Sequence, residues 1–162
     1  MEKIKAADWA KLLICILICQ SAGVFGSVFT SSSVTTWYPA LVKPEFTPPG
    51  WVIGIVWITL YTFMGISLFL VVQEGLERPD VKAAVYVFLA QLVVNGLWSY
   101  AFFGIRSPLA GLWVIGLLFL LILITILKFW PISRNAAILL LPYILWVGFA
   151  SYLNFMIWRL NS

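Results

Sequence analysis

Runs of about twenty apolar residues, parted by short hydrophilic turns, recur five times along this chain and decide what it can fold into. They fall at about residues 10–29, 51–73, 82–103, 109–129 and 135–158. Each is long enough, at about 1.5 Å per residue, to cross a hydrocarbon core of roughly 30 Å as a helix. Backbone groups in that core have no water to bond, so a lipid-exposed span must satisfy them internally, as a helix does. With 63% of its 162 residues apolar and only 10% charged, the chain lies outside the range of soluble domains. The expectation is an all-α integral membrane protein, a five-transmembrane-helix bundle formed by a single domain over residues 1–162.

Composition then excludes whole classes of chemistry. Histidine is absent, which removes imidazole ligation of zinc or haem and histidine acid–base catalysis. Cys15 and Cys19 stand at i, i+4 in the first run, where small packing residues are expected; a metal site needs more ligands. Much of the net charge of +4 sits at span ends, and no basic patch for nucleic acid exists. Spans two, three and five carry no acid or base in their interiors, and no internal repeat is evident, both against an ion-coupled transporter. The lysines before the first run resemble a signal peptide, but the run is too long and lacks a small-x-small cleavage pattern, so it reads as a span. Lys3, Lys5, Lys11, Arg78, Lys82, Lys128 and Arg134 fall on one side, Lys43, Arg106 and Arg159 on the other. The amino terminus is therefore expected inside, with the first loop and carboxyl terminus outside.

The stretch Trp37–Gly65 is the most distinctive. Pro39, Pro44, Pro48 and Pro49 fix φ and lack a backbone donor, which predicts a stiff extended cover before span two. On that span Gly54, Trp57, Tyr61 and Gly65 share one stripe, two rings between two gaps. The stripe reads either as a shelf for a flat ligand or as interfacial aromatics plus close helix packing. Cys19, Gly23 and Ser27 form a small-residue seam on span one, with Gln20 beside it and a polar segment, Thr30 to Thr36, after it. Gln91, Asn95 and Ser99 make a polar stripe on span three, with Trp98 adjoining. Such groups must face other helices, a cavity or a ligand, and hydrogen bonds between helices are the ordinary outcome. Span four is almost uniformly aliphatic after Trp113 and reads as a wall facing lipid or a second copy. Span five places Pro142, Trp146, Ala150 and Asn154 along one face, with Leu153 beside them.

Taken in order, these pieces resemble the translocator protein family, also called TspO/MBR, tryptophan-rich sensory proteins or peripheral benzodiazepine receptors, in its prokaryotic form. The resemblance rests on Trp37-Tyr38, Leu41, Lys43-Pro44, Pro48-Pro49, Trp51, Gly54, Trp57, Leu60-Tyr61 and Met64-Gly65. It continues through Gln91-Leu92, Asn95, Trp98 and Phe102-Phe103-Gly104, and closes with Leu141-Pro142-Tyr143, Trp146, Phe149-Ala150, Leu153-Asn154 and Trp158-Arg159. It implies a bundle in a prokaryotic cell membrane, usually dimeric. Its ligands are tetrapyrroles such as protoporphyrin IX and haem rather than resident cofactors, and in some members cholesterol or isoquinoline carboxamides.

By resemblance the ligand site comprises Tyr38, Pro48, Trp57, Asn95, Trp98, Trp146, Ala150 and Leu153. Trp57 and Trp146 match a pair implicated in light-dependent porphyrin breakdown, which would make them catalytic in an alternative, photo-oxidising role. A third reading is a sterol- or lipid-binding membrane protein. Against sterol, Phe155 stands where the family's sterol pattern expects tyrosine, and Tyr152 is too far from Arg159. Val114 stands about where many relatives carry an acid, so no carboxylate role transfers. A porphyrin is a flat aromatic plate with propionates at one edge; it calls for stacking rings inside and cations at the rim, and Lys43 and Arg106 are the rim candidates.

Overall fold

The computed structural model describes residues 6–162; Lys3 and Lys5, counted above among the inside charges, lie outside them. Helices α1 (Ala6–Val34), α2 (Gly50–Val72), α3 (Pro79–Ser99), α4 (Pro108–Phe129), α5 (Arg134–Leu139) and α6 (Leu141–Leu160) carry the chain, and no strand occurs among the described residues. Five stretches are long and apolar enough to cross a membrane, α5 and α6 together forming the last. The expected five-helix bundle is the architecture observed.

The departures from the sequence reading have local causes. The segment from Thr30 was expected to leave the helix, yet α1 runs on to Val34. Its hydroxyls are returned to the helix itself: Thr30 donates to the Gly26 carbonyl at 3.0 Å, and Ser31 and Ser32 donate to Val28 and Phe29 at 3.3 Å. Ser33, buried, donates across to the Phe103 carbonyl at 2.7 Å. The cover is extended only in part, because Tyr38–Ala40 make one 3₁₀ turn. Past Ser99 the third span widens into a π-turn over Tyr100–Gly104, closed by the Ile105 amide on the Tyr100 carbonyl at 2.9 Å. The fifth span breaks at Leu140. Pro142 has no amide hydrogen to return to Ile138, so α5 ends and α6 restarts with the proline in its first turn.

Span four was read as a wall facing lipid or a second copy; it is a wall on one face only. Ile115, Leu118, Ile122, Ile126 and Phe129 are buried against α3 and α6, while Trp113 stays 76% exposed. The dense end of the core lies here: Phe88 of α3 stacks on Phe129 of α4 with centroids 5.7 Å apart, beside the fully buried Met64 and Ile122.

Candidate ligand cavity

Where α1 and α2 pass closely, glycines permit it. A Cβ built on Gly65 would lie 2.5 Å from the Ile16 Cα, and one built on Gly23 would lie 2.7 Å from the Tyr61 ring. Gln20 ties the same region, its amide nitrogen donating to the Ile58 carbonyl at 3.0 Å and the Thr62 hydroxyl at 3.1 Å. Toward the cover the packing gives way to a cavity of about 830 Å³, within the range of small-molecule sites. It is walled by α1, the cover, α2, α3 with its π-turn, and α6; α4 takes no part.

Its rings are held by partners behind them. Trp57 stacks on Tyr61 with centroids 5.5 Å apart and meets Tyr143 edge-on at 6.3 Å. The Tyr61 hydroxyl donates to Asn95 Oδ1 at 2.6 Å, Asn95 Nδ2 donates to the Tyr143 hydroxyl at 2.9 Å, and that hydroxyl donates to Gln91 Oε1 at 2.8 Å. All four residues are buried and bond chiefly to one another, leaving only the Gln91 amide nitrogen without a partner, and this chain ties α2, α3 and α6 together. Trp98 stacks on Phe102 at 5.4 Å, and its indole nitrogen donates to Asn154 Oδ1 at 3.1 Å. Asn154 in turn donates to the Pro108 carbonyl at 2.7 Å, fixing α6 to the start of α4. Trp146 leans on Phe149 at 5.4 Å, and its buried indole nitrogen has no hydrogen-bond partner.

Tyr38, Pro48, Trp57, Asn95, Trp98, Trp146, Ala150 and Leu153 all line this one cavity. Lys43 and Arg106 do not. Lys43 Nζ donates to the Tyr38 and Leu41 carbonyls at 2.8 and 2.9 Å and sits 4.7 Å from the Tyr38 ring centre, bracing the cover from within. Burial raises the Tyr38 hydroxyl above its ordinary pKa. Arg106, in a left-handed backbone conformation with φ of 52°, lines a separate recess of about 320 Å³ beside Trp37 and Trp158.

Sequence reasoning missed the tyrosine hydroxyls that occupy Asn95, although Tyr61 and Tyr143 were both in view as motif residues. It also missed the α1 wall, where Gln20, Val24, Ser27 and Ser31 face the cavity. The i, i+4 relation of Asn95 to Gln91 was the available signal for a buried polar network; nothing in the apolar sequence of α1 marked which face would be left without a neighbour. No charged side chain lines the cavity, and among the described residues no cluster of metal-ligating side chains occurs.

The fold and this cavity together define a multi-pass membrane protein built around an aromatic-walled cavity open between α1 and α2, where Val24 and Ile58 are exposed. The family model described as TspO/MBR matches residues 15–159. The chain is 45% identical over 150 residues to the tryptophan-rich protein TspO of Chlorobaculum tepidum, covering 93% of this chain and 95% of that relative. It is 44% identical to the Archaeoglobus fulgidus protein of the same name, covering 94% of this chain and 97% of that relative. It is 37% identical to the translocator protein of Homo sapiens, covering 89% of this chain and 86% of that relative. The chain belongs to the TspO/MBR family. Membership supports a membrane receptor or translocator role.

Proposed function

We propose that this protein is a membrane receptor and translocator for tetrapyrroles, protoporphyrin IX and haem, which it holds in the cavity beneath the cover. The observation that carries the reading is the presence of Trp57, Trp98 and Trp146, from three different helices, in the wall of one cavity free of charged groups. Aromatic faces suit a flat conjugated plate, and their surroundings fix their positions before any ligand arrives. With no histidine in the chain and both cysteines outside the wall, the plate is held by its faces and edges rather than through axial histidine or cysteine ligands. The propionates, costly to bury unpaired, stay at the mouth near the cover. The distribution of Lys and Arg supports an amino terminus inside a prokaryotic cell membrane and a cover outside it. The outward apolar residues Tyr86, Val93 and Leu97 of α3 offer a face for a homodimer.

Titration of detergent-solubilised protein with protoporphyrin IX tests the reading through tryptophan fluorescence. Saturable quenching is expected, with affinity weakened severalfold in Trp57→Phe with Trp146→Phe, where two stacking partners worth roughly 0.5–1.5 kcal/mol each are diminished and not removed. Unchanged affinity in the double variant would remove these rings from the site.

A further inference from the structure

The cover is braced within itself and anchored at its start, where Trp37 and Tyr38 meet the rings of Phe102 and Phe103; beyond Leu41 its polar attachment to α6 narrows to one residue. Inside it, Lys43 holds the Tyr38 and Leu41 carbonyls, and Thr47 donates through both its hydroxyl and its amide to the Pro44 carbonyl, at 2.6 and 3.0 Å. Four prolines limit its internal freedom further. Its inner side contributes Tyr38 and Pro48 to the cavity wall. Toward α6 it is pinned by Asn161, the residue that ends that helix. The Val42 amide donates to Asn161 Oδ1 at 3.0 Å, and Asn161 Nδ2 donates back to the Val42 carbonyl at 2.9 Å.

One side-chain amide thus satisfies both backbone groups of a residue 119 positions away in sequence, as a neighbouring strand would. Asn161 Nδ2 also donates to the Ile157 carbonyl at 2.7 Å, which fixes the amide to the last turn of α6. Val42 itself adds little to the attachment, since it is 57% exposed. On this side the exposed Phe46 stacks on Tyr152 with centroids 5.7 Å apart and is edge-on to Phe149 at 6.3 Å, and Leu41 packs on the buried cluster that contains Leu153 and Ile157.

We propose that Asn161 is the positioning residue that holds the cover shut, so that breaking its paired bonds to Val42 lets the braced cover swing from α6 and sets the rate at which ligand enters and leaves. Only asparagine meets this geometry among residues of its size: the amide supplies a donor and an acceptor on one short stem, whereas aspartate keeps the acceptor alone. Asn161 does not itself line the cavity, and its one contact with a lining residue is with the backbone of Ile157, so it acts through the cover residues Tyr38 and Pro48 and not on the ligand. The proposal rests on the cavity being the ligand site, and its test separates the two claims.

The first measurement needs no ligand. Hydrogen exchange at the Val42 amide and across residues 38–48 is compared in the wild type, Asn161→Ala and Asn161→Asp. The expected result is exchange about tenfold faster in the alanine variant, which loses both bonds to Val42, and faster exchange in the aspartate variant too, whose second carboxylate oxygen would face the Val42 and Ile157 carbonyls in place of the donor. Equal exchange in all three overturns the latch.

The second measurement is stopped-flow quenching by protoporphyrin IX. Association and dissociation rates are expected to rise together in Asn161→Ala by a similar factor, leaving Kd within about twofold, because open and closed forms are rebalanced equally with and without ligand. A change in one rate alone, which shifts Kd by the same factor, or no change in either rate while exchange accelerates, overturns the gating role. Absence of quenching in the wild type defeats the tetrapyrrole reading alone, and the exchange measurement still decides whether Asn161 fastens the cover.

Discussion

Gly54 and Gly65 stand about three turns apart on one stripe of α2 and do opposite things. At Gly65 a Cβ would fall 2.5 Å from the Cα of Ile16 and 2.9 Å from its nitrogen, so the two helix backbones meet there. At Gly54 a Cβ would meet nothing within 4 Å. Between them Trp57 and Tyr61 stack, and the Tyr61 ring fills the space that Gly23 leaves on α1. The same residue type is a seal at one end of the stripe and an opening at the other. The difference lies in the partner helix and in the hydrogen bonds that hold the intervening rings upright. Small residues in membrane helices permit close approach, but they enforce it only where the neighbour is drawn in. A bundle that used every such gap for packing would have no chamber.

The largest expected effect lies at the sealed end. Gly65→Leu must push apart two backbones rather than rearrange side chains, so its cost lies at or above the upper end of the about 1–3 kcal/mol typical of overpacked cores. The thermal unfolding midpoint in detergent should fall sharply, or folded protein should be lost. A variant as stable as the wild type would mean that the α1–α2 contact is not what closes this end.

Next in size is the polar chain behind the rings. Tyr143→Phe leaves Gln91 Oε1 and Asn95 Nδ2 buried without their present partner, which costs about 1–3 kcal/mol for an unsatisfied group. Tyr143 does not line the cavity, so the loss should appear in the unfolding midpoint with protoporphyrin affinity nearly kept. Affinity falling by as much as stability would show that the network shapes the chamber as well as supporting it.

Much of this division was legible beforehand, and the reasons for the remainder are physical. Period and run length placed the spans because hydrocarbon thickness leaves helices little choice. The stripe on α2 was visible; its packing reading holds at the Gly65 end, while the Gly54 end opens on the cavity. Only the position of Ile16 against Gly65, set by tertiary packing, tells them apart. Asn95 was identified as a polar residue needing a partner; that Tyr61 and Tyr143 would supply it depends on rotations of α2 and α6 about their axes. The extension of α1 through Thr30 and Ser31 was hidden because hydroxyls that mark a loop in water can bond back to their own helix in an apolar setting. Lys43 carried a charge that pointed to the rim, but the carbonyls of Tyr38 and Leu41 lay closer to hand.

The smallest effect is the most discriminating, because its sign is opposite to the first. Gly54→Ala adds a methyl where nothing stands within 4 Å, in a helix interior where glycine is less favourable than alanine by roughly 0.5–1 kcal/mol. The apo protein should therefore be slightly more stable than the wild type, as a small rise in its unfolding midpoint. Gly54 also lines the cavity. Protoporphyrin quenching should weaken by a few-fold, and Gly54→Leu should weaken it further while the helix itself tolerates the change. Stability and affinity moving in opposite directions at Gly54 is the signature of a gap kept open for a ligand. If Gly54→Ala instead destabilised the protein as Gly65→Leu does, the stripe would be packing along its whole length, and the distinction between its two ends would fall.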